Sequence, residues 1–273
     1  MTLDVWLRDA ERRLAEAGIE EPRAEARLLA AHALGRSKAW VMAHGDERIN
    51  SKKLEEWLQR RERREPLAHL IGVREFYGRP FRVTPATLVP RSETEVLVEL
   101  ALELAPMGGR VLDVGTGTGC IGITLALERP DLAVTLLDIS PEALAVAREN
   151  AEALGANVET VEGDLFPANR EPRTANFDLV VSNPPYIAAG ESLMPEVGRY
   201  EPSRALFGGP DGLDFYRRLA SETATFAPAL AVEIGYDQSE SVPALFEAEG
   251  WSLREVRSDL GGISRALAFS KGR

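Results

Sequence analysis

Cysteine is nearly missing: Cys120 is the single one in 273 residues, which rules out an internal disulfide framework. Histidine is scarce too, and His32, His44 and His69 lack the ligand spacing of a zinc site, so no metal is expected. No stretch approaches the roughly 20 uninterrupted apolar residues that a bilayer span needs, and Met1-Thr2-Leu3-Asp4 does not start a basic-then-apolar leader. The expectation is a cytoplasmic protein with no membrane partner. Basic charge is in deficit, with Lys+Arg 32 against Asp+Glu 43 and a net charge of −11. The deficit is local, because residues 1–75 hold 15 of the basic and 14 of the acidic side chains. The acid excess therefore belongs to 76–273. Polyanions are held by neutralising phosphates with Lys and Arg, so this body disfavours direct nucleic-acid binding and favours a protein or small-molecule substrate.

Residues 1–72 read as a small helical domain. Leu3, Leu7, Ala10, Leu14 and Ala17 recur at alternating four- and three-residue spacing before a stop at Gly18. Pro22 suits a first helical position and Gly35 a second stop, while Ser37 and Ser51 can cap two more helices, the last bearing Leu54, Trp57 and Leu58 before Pro66. Arg60, Arg61, Arg63 and Arg64 invite a nucleic-acid reading. Glu55, Glu56, Glu62 and Glu65 interleave them, which favours a solvated helix face. Over 73–91, Phe76, Tyr77, Phe81 and Val83 alternate with Gly78, Pro80 and Pro85, the pattern of a hairpin or connector. Residues 92–273 form the second domain. After a helix at about 92–105, apolar runs at 111–114, 134–137, 158–161, 177–181 and 230–234 alternate with helical segments. This is an α/β pattern, a mostly parallel sheet covered on both faces. Two further strands near 251–257 and 266–270 have a short connection, which makes one of them antiparallel.

The loop Gly115-Thr116-Gly117-Thr118-Gly119 follows the first strand of this sheet and opens a helix at Ile123 to Glu128. Glycines let a backbone come close to a ligand, and a helix N-terminus offers free N–H groups. The same stretch satisfies a dinucleotide fingerprint, so at this point a pyrophosphate and an amino-acid carboxylate fit equally. Asp138, ending the next strand, can accept both hydroxyls of a ribose. Asp164 can accept from a purine amine, with Leu165 or Phe166 against the ring face. Cys120 reads as a small packed residue rather than a nucleophile.

The most informative stretch is Ser182-Asn183-Pro184-Pro185-Tyr186, directly after the fourth strand. Two prolines stiffen the loop and remove two donors. The Asn183 amide oxygen and the Pro184 carbonyl then form a pair of acceptors for the two hydrogens of a planar –NH2 group, which Tyr186 can cover. In this order and on these strands, Gly115 to Gly119, Asp138 and Asn183 to Tyr186 resemble an S-adenosylmethionine-dependent amino-methyltransferase. More narrowly, the chain resembles the peptide-chain release factor glutamine methyltransferases. Arg64 to Gly72, Glu75 to Gly78, Leu88 to Glu95, Glu201-Pro202, Gly208 to Leu213 and Glu233 to Gln238 carry that likeness over almost the whole length. One departure is Ser92, where the family usually has proline.

The resemblance implies a Rossmann-like S-adenosylmethionine-dependent methyltransferase domain and methylation of the side-chain amide nitrogen (N5) of the glutamine in the Gly-Gly-Gln motif of release factors. It implies that Gly115, Thr116, Gly117, Thr118 and Gly119 take the methionine end of the cofactor, Asp138 the ribose, and Asp164 with Leu165 the adenine region. Asn183, Pro184, Pro185 and Tyr186 would hold the glutamine, with Asn183, Pro184 and Tyr186 catalytic and Asn183 also near the cofactor. The helical domain 1–72 would recognise the release factor. Two rivals stand beside this reading: a nucleic-acid methyltransferase acting on adenine N6 or guanine N2, and an NAD-binding or non-catalytic Rossmann protein. The Gly- and Pro-containing segment 187–212 is expected to lack regular structure and to serve as a lid.

Overall fold

Apolar spacing and caps shape the first unit, Met1–Val73 with Leu193–Tyr200, as the sequence suggests. The computed structural model describes residues 1–167 and 176–272. Helices α1 (Leu3–Glu16), α2 (Pro22–Leu34), α3 (Lys38–Ala43), α4 (Lys52–Glu62) and α5 (Leu67–Ile71) build this unit. The buried stripe of α1 is Leu3, Trp6, Ala10 and Leu14. Trp6 displaces Leu7 and Ala17 to its margin, since a larger ring three residues on reaches the same core. The Ser37 and Ser51 hydroxyls accept from Trp40 N and Leu54 N at 3.1 and 3.4 Å. Helix α5 was not legible, being too short for a period.

The arginine run differs from both readings offered for it. Arg61 is only 5% exposed and lies between Glu25 at 2.6 Å and Glu196 at 3.1 Å. Arg64 pairs with Glu196 and donates to the carbonyls of Ala17 and Gly18 at 3.0 and 2.6 Å. Half of the run is thus internal bracing, in which planar guanidinium groups satisfy carboxylates and carbonyls together.

The second unit, Arg74–Ser192 with Glu201–Arg273, holds the sheet. A hairpin of β1 (Val73–Phe76) and β2 (Arg79–Arg82) comes first. Tyr77 and Gly78 turn it with φ of 51° and 69°, matching the twist of the strands. Then come a 3-10 turn (Ser92–Thr94), α6 (Glu95–Leu104), β3 (Arg110–Val114), α7 (Cys120–Glu128), β4 (Ala133–Asp138), α8 (Pro141–Leu154), β5 (Val158–Asp164), β6 (Phe166–Pro167) and β7 (Leu179–Ser182). After β7 the chain visits the first unit as α9 (Pro195–Tyr200). It returns as α10 (Ser203–Leu206), α11 (Asp214–Glu222), β8 (Ala229–Glu233), α12 (Ser241–Ala248), β9 (Trp251–Ser258) and β10 (Ser264–Lys271).

The strand order is β6-β5-β4-β3-β7-β8-β10-β9. Neighbours from β5 to β8 run parallel, and β10 is antiparallel to both β8 and β9. The sheet is therefore mostly parallel with one reversed strand, apart from the two-residue β6 folding back on β5. Residues of single strands bury alternately into two cores. Val111 and Val181 join α6 and α7 on one face, while Leu112 and Val180 join α11 and α12 on the other. That two-sided burial explains the unbroken apolar runs. The segment 187–212 does contain regular structure, namely α9, α10 and a bridge between Ile187 and Phe207. Six- and four-residue helices leave no readable periodicity.

Candidate functional site

Strand order reverses at β3, which has β4 on one side and β7 on the other. Loops leaving the carboxyl ends of β3 and β7 diverge to opposite faces and open a crevice there. A cavity of about 690 Å³ occupies it, walled by Gly115, Thr116, Gly117 and Thr118, by Asp138, by Asp164 with Leu165, and by Asn183, Pro184 and Pro185. Stretches far apart in sequence are thus brought together by the sheet.

The glycine loop is held from below. Asp113, wholly buried, accepts from Thr116 Oγ1 at 2.6 Å and Gly122 N at 2.9 Å, and burial pushes its carboxyl up to about 6. Gly115 N and Thr116 N bond the Leu137 carbonyl at 2.9 and 3.0 Å. From the side, Asn150 Nδ2 donates to the carbonyls of Thr118 and Arg82 at 2.8 and 3.0 Å. Gly117 has φ of 55°, and a Cβ there would meet no atom within 4 Å. Gly119 is different: it is absent from the cavity wall, and its missing Cβ would stand 2.6 Å from Ile123 Cδ1. Its place is in the packing of α7, which starts at Cys120 rather than at Ile123. Burial drives the Cys120 thiol up to about 12, consistent with a packed residue.

Asp138 Oδ2 accepts from Gly117 N, and its Oδ1 from Ser140 N, each at 2.9 Å. Each oxygen keeps capacity for a further donor. Asp164 is exposed and receives Arg218 at 3.0 Å. Leu165 is buried with φ of 60°. Phe166, the other candidate for a ring face, packs on Phe226 with centroids 5.1 Å apart and is not on the wall.

At the acceptor loop, Ser182 Oγ donates to the Val114 carbonyl at 2.8 Å, tying the ends of β7 and β3. Asn183 Nδ2 donates to Thr94 Oγ1 at 3.2 Å, which turns the amide nitrogen toward Thr94. Tyr186 does not line the cavity. Its ring is half-buried against the second core, burial drives its hydroxyl up to about 12, and its carbonyl accepts from Gln238 Nε2 at 3.1 Å. Sequence reasoning gave no role to Leu88, Pro90, Arg91 and Thr94 or to Phe207 and Phe215, all on the wall. The stretches Leu88 to Glu95 and Glu201-Pro202 had been noticed; their meeting had not.

Two family models match the chain, the PrmC N-terminal domain over residues 5–72 and the methyltransferase small domain over residues 92–198. A release factor glutamine methyltransferase of Geobacter sulfurreducens is 43% identical over 262 residues, covering 93% of this chain and 91% of the relative. One from Rhodospirillum rubrum is 45% identical, covering 93% and 81%. The chain belongs to the release factor glutamine methyltransferases. Solved structures agree on the methyltransferase fold. A methyltransferase from Pyrococcus furiosus aligns with TM-score 0.54 at 22% identity, over 72% of this chain and 91% of that one. The hMettl16 catalytic domain, in complex with MAT2A 3′UTR hairpin 6, aligns with TM-score 0.55 at 15% identity, over 72% and 77%. In this methyltransferase, no helix among the described residues is long and apolar enough to cross a membrane.

Proposed function

We propose that this methyltransferase acts in the cytoplasm, moving a methyl group from S-adenosylmethionine to N5 of the glutamine in the Gly-Gly-Gln motif of peptide-chain release factors. The residues present fit that cofactor. Gly117 leaves an open cradle where a side chain would stand, Asp138 keeps acceptor capacity for ribose hydroxyls, and Leu165 offers an apolar wall beside Asp164 for the base. When bound, S-adenosylmethionine supplies an electrophilic methyl group on sulfur.

An amide nitrogen is a weak nucleophile because its lone pair is shared with the carbonyl. The chain's part is to aim it. Asn183 Oδ1 and the Pro184 carbonyl accept its two hydrogens, raise its electron density and fix its direction. Orientation of this kind contributes up to roughly 7–11 kcal/mol. Tyr186, at the end of the stiff loop, covers the flat face of the amide. The proton then leaves to solvent or to the loop acceptors. Residues 1–72 serve to recognise the release factor, and 187–212, which contributes Phe207 to the cavity wall, serves as the lid.

The observation that carries this reading is the orientation of Asn183, whose nitrogen is engaged by Thr94 so that its oxygen is left for a donor at the cavity. The test is incubation with a labelled methyl donor and either release factors or total RNA and DNA. Label on the Gly-Gly-Gln peptide, located by mass analysis, supports it; label confined to nucleic acid sinks it. Asn183→Ala should lower turnover by about 100-fold or more while cofactor affinity stays close to that of the parent.

A further inference from the structure

A buried carboxyl stands behind Asn183. Strands β7 and β8 pair in parallel with Val181 opposite Ala231 and Ser182 opposite Val232, so Asn183 and Glu233 are the next residues along the same alignment. Glu233 is 3% exposed, and its Oε2 has no hydrogen-bond partner among the described residues. Thr94, itself buried at the start of α6, accepts from Asn183 Nδ2 at 3.2 Å. The Thr94 hydroxyl and the Asn183 amide both lie against the Glu233 carboxyl. The other titratable groups facing it are Glu93 beside Thr94, Cys120 of α7, Tyr186 of the acceptor loop, Tyr216 of α11 and Arg265 of β10. Arg265 is held by Asp259 at 2.8 Å.

We propose that Glu233 is a positioning residue that decides which end of the Asn183 amide meets the substrate. A carboxylate only accepts hydrogen bonds, so with Thr94 it draws Nδ2 inward and leaves Oδ1 facing the acceptor. A protonated carboxyl donates as well. It then supports the flipped amide, in which Asn183 presents –NH2 to –NH2 and the grip is lost. Burial pushes the Glu233 carboxyl up to about 7, against the opposing pull of Thr94, Arg265 and Asn183. Acidification therefore protonates it and weakens acceptor handling, while more alkaline conditions restore the productive orientation. This inference rests on the reading of Asn183 as the residue that holds the substrate amide.

The full chain carrying Glu233→Gln tests it, because glutamine keeps the shape but can donate. With release factor as acceptor, kcat/KM should fall about tenfold or more and the affinity for S-adenosylmethionine should stay within about twofold. The rise of kcat/KM from pH 6 to pH 8 expected of the parent should be missing in the variant, and Glu233→Asp should recover part of the rate. A Glu233→Gln enzyme with parental rate and pH profile overturns the proposal. A second measurement needs no catalysis: the side-chain amide resonances of Asn183 should shift with a midpoint near pH 7 in the parent and not in Glu233→Gln. Resonances that stay fixed through that range in the parent also overturn it. A parent enzyme inert toward release factors would strike the functional reading alone, leaving the resonance measurement to decide the orientation.

Discussion

Glu201 holds Arg91 at 2.6 Å across 110 residues of sequence, with its own side chain 1% exposed and that of Arg91 36% exposed. Its second oxygen accepts from Val89 N at 3.3 Å. Burial raises its carboxyl above the usual range and Arg91 draws it back. This clasp joins the segment before α6 to the segment before α10, both of which wall the cavity. Glu201→Ala removes both bonds and is expected to weaken cofactor binding about tenfold, or about 1–2 kcal/mol. Glu201→Gln, which can still accept from Val89, should lose less. Calorimetric titration with S-adenosylmethionine measures both, and an unchanged Kd in Glu201→Ala would show that the wall stands without the clasp.

Two glycines of the same loop should fail differently. Gly117→Ala meets no neighbour but must hold an alanine at φ of 55°, a strain of about 1–2 kcal/mol beside the cofactor. Cofactor affinity should fall while the melting temperature drops only slightly. Gly119→Ala drives a methyl against Ile123 and Ala147, so its larger loss should be thermal. The reverse ranking in paired melting and binding measurements would contradict these roles.

Gly212 approaches the acceptor loop closely, since a Cβ there would stand 2.3 Å from the Tyr186 carbonyl oxygen. Backbone cannot yield as a flexible side chain can. Gly212→Ala should therefore displace Tyr186 and raise the KM for release factor several-fold, with cofactor affinity kept within about twofold. Equal losses in both would mean that the two halves of the site are not separable.

Ser92 occupies the first position of the 3-10 turn, after Arg91 at φ −101° and ψ 143°. That extended conformation is the one a residue adopts before proline. Ser92→Pro should therefore be tolerated and should stabilise the fold by about 0.4–1 kcal/mol, mainly by restricting the unfolded chain. Differential scanning calorimetry should show a melting point about 1–3 °C higher. A fall would mean that the Ser92 hydroxyl bond to Glu93, 3.1 Å long, matters more than backbone restriction.

The strands and the two loops at the switch point were legible because burial on both faces writes continuous apolar runs, and because glycine and proline mark turns. Boundaries moved by a residue or two: α7 starts at Cys120 and β5 extends to Asp164. What the sequence could not express was pairing over distance. Arg61 looks like a surface charge until Glu25 and Glu196 are set beside it, 36 and 135 residues away. Glu233 looks like an ordinary strand-end acid until the register puts it next to Asn183. Tyr186 was read as a wall of the site from its place in the motif, yet packing turns its ring toward the second core. Short helices, such as α5, α9 and α10, left no trace because fewer than two turns carry no period.

Helix α9 lends the first unit Glu196, the carboxylate that Arg61 and Arg64 share. A cut between Val73 and Arg74 would thus strand a guanidinium with half its anions in one fragment and a helix torn from its packing in the other. The two bodies are stitched rather than strung, and neither can be swapped between proteins as a contiguous cassette unless the stitch travels with it.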